Sequence, residues 1–256
     1  MRSSDSPSLE GIAQLCLQAG HILLESGANA RTVSTSIDSL ARGLGCSSVE
    51  IYCQHSAIIV MLQRGAEAFT HMGKVGEHGV NLRGGEVVLK VVDKIAHGTI
   101  RYDEAQAEIK AATDALHKYP LWLVCLATGL ACGAFGRLLG LDWQSFIPVC
   151  LGAAAGQWLR VTMLRRSVNF YLVVTTVSFT AALIAGGGGR LLGGSNLEIA
   201  TIAATLLLIP GPAMLNCQID ALDGKPNLAV ARAFRVIQII LFLTLGLVAA
   251  QRLIGT

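Results

Sequence analysis

Two regimes of hydrophobic patterning divide this chain. Up to about residue 114 apolar positions alternate with polar ones at helix or strand spacing, and after Tyr119-Pro120 they run nearly unbroken. In the first regime Ser6-Pro7 reads as an N-cap followed by proline at the first helical position. It opens a helix that runs to about Ser26 and stops at Gly27. A second helix follows Asn29, with Val33, Ile37, Leu40 and Leu44 on one face and Gly43 and Gly45 at its end. The period then becomes two. Val49, Ile51 and Cys53 alternate with Glu50, Tyr52 and Gln54, which predicts a strand. Residues 57–62 predict a more deeply buried strand, and Arg64-Gly65 turns the chain into residues 66–70 as a hairpin. Helical spacing returns over residues 83–97 through Val88, Val91, Val92 and Ile95, stopped by Gly98. It returns again from Asp103, with Ala105, Ile109, Ala112 and Leu116 inward.

In the second regime five apolar spans are predicted, at about 121–141, 146–164, 168–188, 197–218 and 228–251. Each is near the roughly 20 residues that cross a bilayer. The second is the weakest, because Pro148, Gln157 and Arg160 interrupt it. Trp122, Trp143 and Trp158 lie near span ends, where interfacial aromatics belong. The expected fold class is therefore mainly α: a polytopic membrane protein with five transmembrane helices (residues 119–256) behind an N-terminal cytoplasmic α+β domain (residues 1–118). Orientation follows from basic residues. Lys118, Arg160, Arg165, Arg166, Lys225, Arg232 and Arg235 fall on one side, and Arg137, Arg190 and Arg252 on the other. This predicts a cytoplasmic N-terminus and a periplasmic C-terminus, and the polar start of the chain predicts no secretory signal.

Composition agrees. The chain of 256 residues is 52% hydrophobic and only 14% charged, with mean hydropathy +0.55, whereas a soluble domain carries about 25% charged residues. Residues 1–118 carry a net charge of −2 and residues 119–256 a net of +5. The seven cysteines form no CxxC pair and read as small buried thiols. All six histidines precede Pro120 without zinc spacing, and His71 with His78 reads as a surface pair. No phosphate-cradling loop, HExxH or GxSxG is present. No cofactor, metal, nucleic-acid partner or enzymatic activity is expected.

The candidate chemistry lies in the fourth span. A proline within a helix removes a backbone hydrogen bond and clashes with the preceding turn. In lipid the freed groups must meet protein or a water-filled cavity. Pro210-Gly211-Pro212 therefore predicts a broken span and a translocation site from Pro210 to Asn216. Asn216 and Asp220 are four apart, and Asp223 is three further on, so they share a helix face. Asp220 and Asp223 are read as an entrance or coupling pair at the cytoplasmic mouth. The plainer alternatives are a structural kink and a solvated, charged helix end. Arg165 and Arg166, leading into Asn169, are candidates to meet a substrate carboxylate, since arginine recognises carboxylates with a two-pronged fork. Their plainer role is to set topology. Arg137 stands on the side where topology alone would not place positive charge. The candidate substrate or coupling-ion site is thus Pro210, Gly211, Pro212, Asn216, Asp220, Asp223, Arg165, Arg166 and Asn169. Gly129-x-x-x-Gly133, Gly136-x-x-x-Gly140 and Gly152-x-x-x-Gly156 suit close helix packing, within the chain or with a partner.

These motifs, taken in order, resemble the threonine/serine exporter family. The resemblance runs through Leu23-Leu-Glu-Ser-Gly-Ala28, Leu40-Ala-Arg-Gly-Leu-Gly45 followed by Val49, Asn81-Leu-Arg83, Tyr119-Pro120, residues 165–170, and most specifically Leu207-Leu-Ile-Pro-Gly-Pro-Ala-Met-Leu-Asn216 with Asp220 and Gly224. It covers nearly the whole chain and is strongest to the N-terminal module of the family and its YjjP-like branch. It implies a bacterial inner-membrane exporter. A second five-span module found in longer members is missing here, which implies a separate small YjjB-like membrane subunit and an association with succinate export. The lipid bilayer and a small anionic or amino-acid substrate are further implied partners, and a higher oligomer stays open. A threonine/serine exporter subunit is the alternative. A membrane sensor or scaffold whose soluble domain signals is the alternative of another class.

Overall fold

The computed structural model describes residues 7–54, 57–74, 82–114 and 119–255. Ser6, His78, Asn81, Leu116 and Lys118, named above, lie outside the described residues. The chain forms two compact units. One comprises Met1–His117 with Pro212–Ala233, and the other comprises Lys118–Gly211 with Phe234–Thr256.

In the first unit, α1 (Leu9–Glu25) opens at Ser8, whose hydroxyl accepts the Gly11 amide at 3.1 Å. This cap lies two residues later than Ser6-Pro7 suggests, because Ser8 can reach back to the first turn. Helix α2 (Ala30–Gly43) is capped by Asn29, whose side chain accepts from the Thr32 amide at 2.8 Å. Strands β1 (Ser48–Cys53), β2 (Ala57–Arg64) and β3 (Glu67–Lys74) form an antiparallel meander in the order β1-β2-β3. Ser48 faces Gln63, and Ala57 faces Lys74. Strand β2 buries one face only. Ile58, Val60 and Leu62 point into the core, while Met61 is exposed. Its even run of apolar residues hides this one-sidedness, because Ile59 and Met61 are apolar on the outer face. Helices α3 (Leu82–Ala96) and α4 (Tyr102–Asp114) complete the unit. The core joins Ile12, Leu15, Leu23 and Leu24 of α1 with Ile37 and Leu40 of α2, the inner face of β2, Val88, Val91 and Ile95 of α3, and Ile109 of α4. Burial pushes the thiols of Cys16, Cys46 and Cys53 up from their ordinary value, as inert core cysteines require. All seven cysteines are free. His71 stacks on Phe69 with ring centroids 5.9 Å apart.

The second unit is built on α5 (Leu121–Leu138), α6 (Trp143–Arg165), α7 (Phe170–Leu191) and α8 (Leu197–Thr205). Helix α9 (Gly211–Leu222) and helix α10 (Pro226–Ile254) contribute residues to both units. Among the described residues, α5, α6, α7 and α10 are long and apolar enough to cross a membrane. A fifth crossing results if the bent pair Leu197–Leu208 and Gly211–Leu222 counts as one span. The protein is therefore mainly helical, with four to five candidate membrane spans and a small sheet. Pro148 does not interrupt α6, which runs for 23 residues. Exposed Leu126, Leu130, Ile147, Leu151, Leu172, Leu241 and Leu245 give the helices the apolar surface that lipid requires.

Small residues set the spacing of this unit. A β-carbon on Gly129 would come 2.5 Å from the Cys150 carbonyl oxygen, and one on Gly152 would come 2.6 Å from that of Ala181. Both helix pairs thus meet backbone to backbone, the approach that small-x-x-x-small spacing allows. Gly152→Ala is expected to force α6 and α7 apart and to destabilise the unit by roughly 1–3 kcal/mol. Thermal unfolding of the purified protein in detergent checks this, against Gly187→Ala, where an added methyl meets nothing within 4 Å.

Candidate substrate groove at the broken helix

Helix α8 ends at Thr205, and Leu206–Leu208 tighten into a single 3-10 turn. Ile209 is extended, with φ −67° and ψ 122°, as expected for a residue forced out of the helical region by a following proline. Pro210 has no amide to offer, and α9 begins at Gly211, whose amide donates to the Ile209 carbonyl at 2.9 Å. The last turn of α8 is partly self-satisfied. The Thr205 hydroxyl donates to the Ile202 carbonyl at 2.8 Å. Arg160 reaches from α6 to the Leu207 carbonyl at 3.5 Å.

Beside this break is a groove of about 580 Å³. It is lined by Thr128, Ala131, Cys132 and Phe135 of α5, by Gln157 and Arg160 of α6, and by Leu206, Leu207 and Ile209. This volume falls in the range that holds small ligands. No lining residue is acidic. Arg160 has no carboxylate partner among the described ion pairs. A half-buried guanidinium whose one hydrogen bond is long has donors left for an anion, and in apolar surroundings its attraction for one is strengthened. Gln157, one helical turn earlier, adds a neutral donor and acceptor.

The residues singled out from the sequence divide between the two units. Pro210 and Gly211 belong with the groove unit, and Pro212, Asn216, Asp220 and Asp223 belong to the first unit. There Asn216 and Asp220 of α9, and Asp223 just after it, are engaged. The Asn216 side-chain amide donates to the Gly27 carbonyl at 2.7 Å. Asp220 has no exposure, accepts the Ala30 amide at 3.2 Å and pairs with the buried Arg232. The first turn of α2 thus rests on a carboxylate, where the helix N-terminus favours negative charge. Asp223 pairs with Arg31 through one oxygen, while its other oxygen is buried without a hydrogen-bond partner. A solvated helix end does not describe Asp220. Gly224 closes α9 with φ +72°. The Lys225 amide then returns to the Asp220 carbonyl at 2.9 Å.

Arg165 and Arg166 are exposed at the end of α6. Asn169 caps α7, its side chain accepting from the Tyr171 amide at 3.0 Å. Asn169 thus has a structural task, and none of these three lines the groove. Arg137 lies over the Trp143 ring at 4.3 Å, a cation–π contact that gives this outlying charge a local reason. The residues that sequence spacing passed over are Gln157 and Thr128. Arg160 stands out in the sequence as an interruption of an apolar span and as one of the basic residues that set topology, and a charge inside such a span is itself a signal of function.

An apolar helical unit with a broken helix, a groove beside the break and a lone guanidinium in its wall is an arrangement that suits a membrane transport protein. Residues 14–254 match the family described as "Putative threonine/serine exporter", and the chain belongs to that family. It is similar to the "Probable succinate transporter subunit YjjP" of Klebsiella aerogenes, with 26% identity over 253 residues, covering 98% of this chain and 97% of the relative. The protein of the same name from Escherichia coli (strain K12) is 28% identical over 222 residues, covering 86% of each chain. No solved structure matches. The chain is thus a multi-pass membrane protein of an exporter family, and relatives that match it over most of their length are named as transporter subunits.

The Asp220–Arg232 pair yields a stability prediction. Asp220→Ala leaves Arg232 buried and unpaired and removes the acceptor of the Ala30 amide, a loss of about 3–5 kcal/mol. Replacing both partners, Asp220→Leu with Arg232→Met, is expected to recover most of that loss. Protease sensitivity and thermal unfolding of the full-length variants measure the difference.

Proposed function

We propose that this chain is the larger subunit of a secondary exporter that moves small carboxylates, succinate foremost, out of the cytoplasm together with a small YjjB-like membrane partner. The observation that carries the reading is Arg160. It is a half-buried cation without a carboxylate partner among the described residues, set in a groove without acids beside the freed backbone of the broken helix. A dicarboxylate offers two charges. The guanidinium takes one in a two-pronged contact, and Gln157 and Thr128 stand in the same wall for its polar oxygens. The names of the relatives from Klebsiella aerogenes and Escherichia coli support the same substrate class and a subunit arrangement.

In this reading the bent pair is one span, giving five crossings, with residues 1–118 in the cytoplasm, the C-terminus in the periplasm and the protein in the bacterial inner membrane. Pro210, Gly211 and Pro212 form the break that opens the pathway. Asn216, Asp220 and Asp223 secure the cytoplasmic side, and Arg165, Arg166 and Asn169 attract the anion toward the mouth. Threonine or serine export is the alternative that the family description favours. An amino acid brings an ammonium group as well, and the groove wall has no carboxylate to receive it.

Proteoliposomes containing the chain and its partner are expected to exchange labelled succinate. Arg160→Ala should lower the rate at sub-saturating succinate roughly tenfold to a hundredfold, the worth of a charge-assisted contact, and Arg160→Lys should restore only part of it. Exchange of threonine or serine without succinate transfers the assignment to amino acids. Flux of all three equal to that of empty liposomes overturns it.

A further inference from the structure

The turn from α5 into α6 contains a second polar cluster, which the groove does not use. Asp142 stands at the N-cap of α6, yet its side chain caps no amide. Both of its carboxylate oxygens and the hydroxyl of Ser145 are buried, and none has a hydrogen-bond partner among the described residues. Ser145 has no exposure at all. The facing wall is the end of α7 and the turn after it. A β-carbon on Gly194 would come 2.9 Å from Asp142 Oδ2, 3.0 Å from the Gly189 carbonyl oxygen and closer still to Ser145 Oγ. A β-carbon on Gly189 would come 2.9 Å from the same Ser145 Oγ. The Asp142 carboxylate, the Ser145 hydroxyl and the Gly189 carbonyl, which already accepts the Gly194 amide at 2.8 Å, therefore lie together against Gly194, where no side chain would fit.

The nearby polar groups are committed elsewhere. Arg137 lies over Trp143, Arg190 donates to the Ile254 carbonyl, and the Asn196 side chain donates to the Gly140 carbonyl at 3.1 Å. A buried carboxylate without a partner is costly, and a bound cation offsets that cost. The donors are all oxygen, which suits a hard cation rather than a sulfur- or imidazole-seeking metal. There is one carboxylate, and the positive end of α6 already offsets part of its charge, so a monovalent ion suffices.

We propose that Asp142 and Ser145, with the Gly189 carbonyl, form a binding site for a sodium-sized monovalent cation, and that this ion couples to export. The coupling role rests on the exporter reading, whereas the binding does not. The full-length protein in detergent, at fixed pH and matched ionic strength, should unfold at higher temperature in sodium chloride than in choline chloride. The rise should saturate at roughly 2–4 °C or more. Asp142→Asn keeps a residue suited to the N-cap position and removes the charge. It should abolish the sodium effect while unfolding in choline at a temperature no lower than the unaltered protein. Ser145→Ala should require several times more sodium for the half-maximal rise. Equal unfolding temperatures of the unaltered protein in the two salts overturn the site, and so does a sodium-dependent rise that persists in Asp142→Asn. In proteoliposomes, Asp142→Asn should lose sodium-driven succinate movement and keep succinate exchange. If the unaltered protein moves no succinate while the sodium-dependent rise stands, the exporter reading fails and the site does not.

Discussion

A backbone group inside an apolar unit must find a partner, and Pro210 with Pro212 removes two of the amide donors that a continuous helix would need there. The local geometry of the break follows from this constraint. The turn before the proline tightens to 3-10 geometry, Ile209 extends, and Thr205 turns its hydroxyl back on its own helix. Arg160 crosses from α6 to the Leu207 carbonyl. The groove lies where the helix cannot continue, and its one charge is the group that tends the break. The Arg160 guanidinium is tied to the backbone at the break, and no acid lines the groove beside it.

Asn216, Asp220 and Asp223 serve a different constraint. Their four- and three-residue spacing places them on one face, and they are engaged by Gly27, Ala30 and Arg31 around the start of the second helix. Asp220 carries the Ala30 amide and the Arg232 guanidinium, and Asn216 carries the Gly27 carbonyl. Breaking such a buried pair costs more than forming it gains, because a lone buried charge is left behind. Residues Pro212–Ala233 thus fold with the N-terminal part of the chain although nearly a hundred residues of membrane sequence separate them.

What could be read from the sequence was what local pattern controls. The Val49, Ile51, Cys53 alternation, the Asn29 cap and the prolines of the fourth span each act within a few residues, and each left a local mark in the structure. Helix α6 is the least apolar of the four long membrane helices, as Gln157 and Arg160 suggest, yet it is not broken at Pro148. Pro148 is accommodated against Gly188, a long-range fit that no window of sequence shows. The groove was hidden for the same reason. Thr128, Gln157 and Leu207 come from three separate elements and share no spacing. The acids stand out by their spacing from Asn216 after the broken span, and spacing does not tell an engaged carboxylate from an available one.

The glycine seams have a mechanical consequence. Where Gly129 meets the Cys150 carbonyl and Gly152 meets that of Ala181, no side chains lie between the helices to act as a cushion. Sliding one helix past the other by a fraction of a turn would drive a neighbouring side chain into a carbonyl, so the seam resists shear. Helices α5, α6 and α7 are therefore expected to tilt together when a bilayer is thinner or thicker than their apolar length, which would tie the response to membrane thickness to three helices at once.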